Sequence, residues 1–127
     1  MKTENILVVD DSISMKQMIT FTLTSDGYNI VEAVNGEDAV ELIENSEYIF
    51  DCVITDINMP VMDGFELTEY IRTKVEYNGV PILVLTTEAS DEHKLKGKNA
   101  GATGWMVKPF SPDKLNHSVH KVCDIKD

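Results

Sequence analysis

The feature that most constrains this chain is the regular alternation of short apolar runs with longer segments of helical spacing. The five apolar runs lie at residues 6–9, 29–34, 52–55, 80–85 and 104–107. Short apolar runs bounded by turn residues are typical of buried strands. Strands that alternate with helices predict a parallel sheet, because right-handed crossovers place the helices against its faces. We therefore predict an α/β domain with helices on both faces of one sheet.

Four of the intervening segments carry apolar residues on one helical face. These faces comprise Met15, Met18, Ile19 and Thr22; Ala39, Leu42 and Ile43; Leu67, Ile71 and Val75; and Leu115, Val119 and Val122. Residues that start or stop helices bound these segments, namely Asp26-Gly27, Asn35-Gly36, Pro60, Gly64, and Ser111 as an N-cap before Pro112. Each of these segments is therefore predicted to be a helix.

The segment 90–100, SDEHKLKGKNA, has the weakest helical pattern. Leu95 is its one large apolar residue, and Gly97 lowers helix stability. We still predict a helix, because the alternation requires a crossover before the last strand. Its basic residues are His93, Lys94, Lys96 and Lys98. We favour a solvated helix face for them, the alternative being an output surface for an acidic partner.

Composition argues against several classes of function. The 127 residues suit one domain, and a net charge of -11 disfavours binding to nucleic acid or to an anionic membrane. The N-terminal MKTEN lacks the apolar stretch of a signal peptide, and no run approaches membrane-spanning length. We therefore expect a cytoplasmic protein that does not insert into membranes.

The two cysteines, Cys52 and Cys123, show no CxxC or Cys/His metal spacing, which disfavours a zinc site. Cys52 falls in an apolar run and is predicted to be a small buried hydrophobic residue. A disulfide between the two cysteines is disfavoured, because nothing else in the sequence indicates an oxidising compartment.

Chemically informative residues follow four of the predicted strands. They are Asp10 and Asp11 after the first strand, Asp56 after the third, Thr86 and Thr87 after the fourth, and Lys108 after the fifth. Carboxyl ends of parallel strands meet at one edge of a sheet, where ligands bind. Taken singly, an Asp or Thr can cap a helix, and a Lys is usually solvated. Because these residues follow four strands whose ends share one edge of the sheet, capping and solvation are disfavoured as an explanation for the whole set.

Three carboxylates beside a single ammonium leave an excess of negative charge. A hard divalent cation would offset this charge, and Mg²⁺ binds carboxylate oxygens while keeping part of its water shell. No His or Cys lies near these strand ends, so the sequence does not favour a softer metal. A carboxylate beside Mg²⁺, a Lys and a hydroxyl is equipped for phosphoryl transfer, in which Asp56 could be the nucleophile.

Four stretches of the chain carry a resemblance to a known family. The stretches VVDDS, ITDINMPVMDGFEL, VLTTEAS and GATGWMVKPF closely resemble the receiver domains of two-component response regulators. The resemblance covers essentially the whole chain and is strongest to stand-alone chemotaxis response regulators. It implies a flavodoxin-like five-stranded sheet of order 2-1-3-4-5 with five helices. It also implies a single receiver domain over residues 1–127 with no output domain.

The resemblance implies a role for each residue around the metal. Asp56 matches the phosphoacceptor, and Asp11 matches the direct metal ligand. Asp10 matches its acidic neighbour, which usually acts through water. Asn58 matches the position whose backbone carbonyl completes the metal site. The implied cofactor is Mg²⁺, bound by Asp10, Asp11, Asp56 and the Asn58 carbonyl.

The resemblance also assigns the switching residues. Thr86 matches the switch hydroxyl, and Lys108 matches the phosphoryl-binding lysine before Pro109, whose peptide bond is often cis in the family. Trp105 stands at the aromatic switch position, where the family usually has Tyr or Phe. Thr87 is bulkier than the small residue that is common beside the switch hydroxyl.

Two further positions match residues that tune dephosphorylation. Asn58 lies two residues after the phosphoacceptor, and Glu88 lies two residues after the switch hydroxyl. This polar pair resembles that of fast-decaying chemotaxis regulators, whereas the bulk of Thr87 opposes fast decay.

The implied function is a monomeric phosphorylation switch. A histidine kinase would donate the phosphoryl group, the phosphorylated form would bind a target such as the flagellar motor switch, and a phosphatase could reset it. The alternatives are a phosphorelay intermediate or a phosphate sink outside chemotaxis. An aspartyl phosphatase is disfavoured because the adjacent acids lack DxD spacing. A flavin-binding module is disfavoured because the first strand leads into acids and not into a phosphate-binding loop.

Overall fold

The sheet contains five parallel strands, as expected from the alternation of the sequence. In a computed structural model that describes residues 4–47, 49–88 and 90–124, they are β1 (Asn5–Val9), β2 (Asn29–Ala33), β3 (Cys52–Asp56), β4 (Ile82–Thr86) and β5 (Gly104–Val107). Their order across the sheet is β2-β1-β3-β4-β5, which confirms the predicted topology. Because the chain reverses its direction of winding between β1 and β3, a crevice opens at their carboxyl ends.

Five α-helices connect or follow the strands. They are α1 (Ile13–Ser25), α2 (Gly36–Asn45), α3 (Gly64–Arg72), α4 (Asp91–Ala100) and α5 (Pro112–Asp124). The predicted N-cap at Ser111 is present, since its hydroxyl accepts the Lys114 N–H at 3.1 Å. Asn35, where the second helix was predicted to begin, caps α2, and its side chain accepts the Asp38 N–H at 2.8 Å. Within the described ranges, no helix is long and apolar enough to cross a membrane.

The prediction that Val75 belongs to the third helix is wrong. The helix ends at Arg72, and Val75 begins a short 3₁₀ helix with 85% of its surface exposed. The chain tightens after α3, where the Lys74 N–H donates to the Ile71 carbonyl at 3.1 Å in an i→i−3 pattern. Val75 is thereby turned away from the face that Leu67 and Ile71 bury.

Two apolar cores cover the two faces of the sheet. Leu7 and Val9 of β1 point into the core beneath α2, α3 and α4, whereas Ile6 and Val8 point into the core beneath α1 and α5. This alternation along one strand is the period of two that β-structure imposes. Cys52 is fully buried in the second core, as predicted, and the side chain of Cys123 lies outside the described residues.

The helix α4 forms despite its polar sequence, and its buried residues are the small ones, Gly97 and Ala100. A Cβ atom added at Gly97 would lie 3.6 Å from the ring of Phe65, an ordinary van der Waals distance, so α4 lies close to α3 here without requiring glycine. Ser90 caps the helix, and Gly101 ends it in the left-handed conformation at φ 106°. The prediction of a helix over this segment is confirmed.

Candidate functional site

Three carboxylates converge at the carboxyl edge of the sheet. Asp10 follows β1 and is fully buried, Asp56 ends β3 with 5% of its surface exposed, and Asp11 is exposed at the mouth. One oxygen from each lies within 4.8 Å of the others. The structure therefore brings together the three acids singled out in the sequence.

Lys108 places an ammonium group between the two buried acids. Its Nζ lies 3.3 Å from Asp10 Oδ2 and 3.2 Å from Asp56 Oδ1, and its side chain is mostly buried. The residue follows β5, and its backbone N–H donates to the Thr86 carbonyl at 2.7 Å, which fixes the loop beside β4. The Lys108–Pro109 peptide bond is cis.

The ionisation of Asp56 is disfavoured by its surroundings. Burial raises the pKa of Asp56 above its ordinary value, and the Asp10 carboxylate raises it further. The Lys108 ammonium and the Asn58 backbone N–H lower this pKa but do not cancel the increase. A second cation would therefore favour the charged form of Asp56.

The donor atoms of the cluster fit Mg²⁺. They are carboxylate oxygens, the ligands that a hard divalent cation prefers. Asp10 already accepts the Ser12 N–H at 2.9 Å and contacts Lys108 through its other oxygen. Its oxygens are therefore less accessible to a metal than those of Asp11. Asn58 is exposed on the loop after β3, and the implied role of its carbonyl stays a prediction.

The loop after β3 approaches Asp56 so closely that only glycine fits at its end. A Cβ atom at Gly64 would lie 2.4 Å from the Asp56 carbonyl oxygen. The sequence indicated Gly64 only as the entry to a helix, and the contact with Asp56 becomes visible in three dimensions. Gly64 therefore allows the start of α3 to lie against the backbone of Asp56.

The Thr86 hydroxyl lies at the same rim but is bonded to the β4–α4 loop. It accepts the Glu88 N–H at 3.0 Å and donates to the Glu88 carbonyl at 3.0 Å. Its position at the end of β4 agrees with the sequence prediction, whereas its bonds are those of a local turn. Thr87 and Glu88 are exposed beside it.

A search against protein families identifies the class of this fold and site. The family model of the response regulator receiver domain matches residues 6–120, which is most of the chain and includes all the candidate site residues. The chain belongs to the response regulator receiver family. Its strand order and helix count agree with that assignment.

This receiver is similar in sequence and structure to chemotaxis regulators of the CheY type. A CheY homologue of Campylobacter jejuni is 37% identical over 118 residues, covering 92% of this chain and 90% of the relative. The structure of the chemotaxis response regulator CheY4 of Vibrio cholerae matches with a TM-score of 0.90 at 45% identity, covering 95% and 99% of the two chains.

A third similar protein carries a metal. It is the receiver domain of the sensor histidine kinase PA1611 from Pseudomonas aeruginosa, with a TM-score of 0.85 and 28% identity. The match covers 97% of this chain and 99% of that one. In that structure a magnesium ion is coordinated in the active-site cleft.

Trp105 of this receiver lies between α4 and α5 with 42% of its surface exposed. The Lys94 ammonium lies 5.2 Å from the centre of its indole ring, within the range of a cation–π interaction. A cavity of about 10 Å³ beside Trp105 is also lined by Thr86 and Gly97. That volume holds about one water molecule, so the indole can turn inward only if its neighbours move.

Proposed function

We propose that this chain is a phosphorylation switch whose phosphoacceptor is Asp56. The observation that carries the proposal is the cluster of three carboxylates, with the Lys108 ammonium 3.2 Å from Asp56. A histidine kinase supplies the phosphoryl group, and the phosphorylated form favours a surface conformation that binds a target. The protein then catalyses only its own phosphorylation and dephosphorylation.

The side chains divide the chemistry of transfer. A carboxylate oxygen of Asp56 attacks phosphorus, a P–O bond forms, and the P–N bond of the donor phosphohistidine breaks, with its electron pair leaving on the imidazole. Lys108 holds an oxygen of the transferred group, and Thr86 orients another after leaving Glu88. Bound Mg²⁺ would supply positive charge against the phosphoryl oxygens.

The proposed metal ligands are Asp11, Asp56 and the Asn58 backbone carbonyl, with Asp10 acting through water. The fit of the carboxylates and the magnesium ion in the related receiver support this assignment. All the proposed ligand atoms are oxygens, which suit Mg²⁺ and do not favour a softer metal.

The proposed pathway is chemotaxis, with the flagellar motor switch as target, because the similar proteins include chemotaxis regulators. A pull-down with and without the phosphate mimic beryllofluoride tests this proposal. Capture of a motor-switch protein only with beryllofluoride is the expected result. Capture of a phosphotransfer protein instead would favour a phosphorelay intermediate or a phosphate sink. Capture of the same partners with and without beryllofluoride would contradict a switch. Capture of the same beryllofluoride-dependent partners by Asp56→Asn would also contradict it.

The acyl phosphate is expected to decay within seconds to minutes, as in the regulators that carry a similar polar pair. Asn58 and Glu88 can orient a water molecule in line with the Asp56 oxygen, and Thr87 narrows its approach. Glu88→Leu should therefore slow decay by roughly tenfold, and Thr87→Ala should accelerate it modestly. Loss of radiolabelled phosphate gives the rates, and Glu92→Leu on the exposed surface of α4 is the control. Decay over many hours in every variant would contradict this account.

The fluorescence of Trp105 is expected to change when beryllofluoride binds. Trp105 and Thr86 line the same small cavity, so movement of the Thr86 hydroxyl toward the phosphoryl site alters the packing beside the indole. Trp105 is the only tryptophan, which makes its emission spectrum specific. The spectrum of Asp56→Asn should not respond. An unchanged wild-type spectrum at saturating beryllofluoride would show that Trp105 is fixed.

A further inference from the structure

Glu88, whose role in dephosphorylation is proposed above, has its carboxylate turned toward α4. Its Oε2 lies 3.6 Å from Nε2 of His93, across the loop that joins β4 to α4. The Glu88 side chain is 59% exposed, so this contact and not burial restrains it. The contact with His93 therefore favours a position of the Glu88 carboxylate beside α4.

The ring of His93 is itself held in place. Its Nδ1 lies 3.2 Å from the Ser90 hydroxyl, and its ring centre lies 6.0 Å from that of Phe65 on α3. A hydroxyl can either donate to or accept from Nδ1, so Ser90 suits the neutral and the protonated imidazole. The ring can thus change its charge without losing this partner.

The backbone of Glu88 is bound to the switch residue. Both of its hydrogen-bonding groups contact the Thr86 hydroxyl, each at 3.0 Å. Glu88 is therefore held at two points, by Thr86 through its backbone and by His93 through its side chain. Glu88 therefore links His93 to Thr86 at the rim of the phosphoryl site, so a change in the charge of His93 can alter the position of Glu88 there.

We propose that His93 is a positioning residue that makes the lifetime of the acyl phosphate depend on pH. Protonated His93 holds the Glu88 carboxylate at α4, away from the water that must attack the phosphoryl group. Neutral His93 releases Glu88 to orient that water, so decay is faster at a pH where His93 is neutral than at a pH where it is protonated. This inference rests on the proposed role of Asp56 and of Glu88.

The charged groups around His93 lie on the β4–α4 loop and on α4 itself. Glu88 faces the ring from the loop. Lys96 of α4 lies 4.8 Å from the ring centre of Phe65, the α3 residue that the His93 ring contacts. Lys94 lines the same cavity as His93. The first turn of α4 adds the charges of Asp91 and Glu92. Glu88 is the one described carboxylate within ion-pair distance of the ring.

The test compares the decay of phosphorylated wild-type protein and His93→Gln between pH 5.5 and 8. At each pH, dividing the rate of the variant by that of wild type removes the effects of pH that both proteins share, namely those on the acyl phosphate itself and on metal binding. At pH 5.5 the variant should decay about threefold faster, a factor that an exposed ion pair can supply, and the two rates should converge at pH 8. His117→Gln, on the exposed surface of α5, is the matched control and should follow wild type.

A double mutant gives the second readout. In a Glu88→Gln background the His93→Gln substitution should change the rate at no pH, because the ion pair is already absent. A ratio of one throughout, an equal effect of His117→Gln, or an undiminished effect in the Glu88→Gln background would overturn the role of His93. Absence of hydroxylamine-sensitive label on wild-type protein would instead overturn the proposed function.

Discussion

Asp56→Asn is expected to reduce phosphorylation by acetyl phosphate to background while leaving the fold intact. Asparagine keeps the shape of aspartate but lacks the carboxylate oxygen that attacks phosphorus, so the acyl phosphate cannot form at this position. Wild-type protein with Mg²⁺ should gain a phosphoryl group that hydroxylamine removes. Intact-protein mass spectrometry measures both results.

The stability of the same variant provides a control on the fold. Burial and the Asp10 carboxylate raise the pKa of Asp56, which means that its charged form is disfavoured in the folded protein. Without metal, Asp56→Asn should therefore unfold at a higher temperature than wild type, by a few degrees.

Asp63→Asn supplies the matched comparison for labelling. It makes the same chemical change at the end of the same loop, and asparagine also serves as an N-cap for α3. It should be labelled like wild type. Full labelling of Asp56→Asn would exclude Asp56 as the nucleophile. Loss of label in both variants would show that the loss is not specific to Asp56.

The convergence of the site residues was predictable because topology determines it. Asp10, Asp56, Thr86 and Lys108 lie on four different strands or just after them, and parallel strands bring their carboxyl ends to one edge. The pattern of strands and helices predicted that they lie on one edge of the sheet, and the strand order that makes these strands neighbours was implied by the resemblance to receiver domains.

The different environments of Asp10 and Asp11 were not predictable in the same way. Both follow β1, yet the turn into α1 buries Asp10 completely and leaves Asp11 exposed. That difference depends on the Ser12 N–H, which binds Asp10 before Ser12 itself caps the helix. Local hydrogen bonds of this kind are not visible in hydrophobic periodicity.

The same limit applies where tertiary packing overrides local preference. Gly97 lowers the helix propensity of α4, yet the helix forms and buries Gly97 beside the Phe65 ring, a contact that sequence spacing does not show. Val75 continues the period of the third helix, but a tighter turn ends that helix first. The contact of His93 with Glu88 likewise depends on the path of a loop.

Millimolar Mg²⁺ is expected to stabilise the wild-type fold. Three carboxylates held within 4.8 Å repel one another, and Lys108 offsets only part of their charge. A cation that binds the folded state alone adds about 1.4 kcal/mol when its concentration is tenfold above its dissociation constant. For a domain of this size that corresponds to several degrees in melting temperature, measured by scanning calorimetry.

Asp11→Asn distinguishes a metal site from general screening of the acidic surface. This variant should lose most of the Mg²⁺-induced shift, because Asp11 is the exposed carboxylate at the mouth of the cluster. Asp113→Asn removes the same charge from an exposed position in the first turn of α5 and should keep the wild-type shift. Sodium chloride at equal ionic strength should shift all three proteins by a similar amount, smaller than the Mg²⁺ shift of wild type, because screening acts on the whole net charge of -11. Equal shifts with both salts, or in Asp11→Asn and wild type, would show that the acids do not form a metal site.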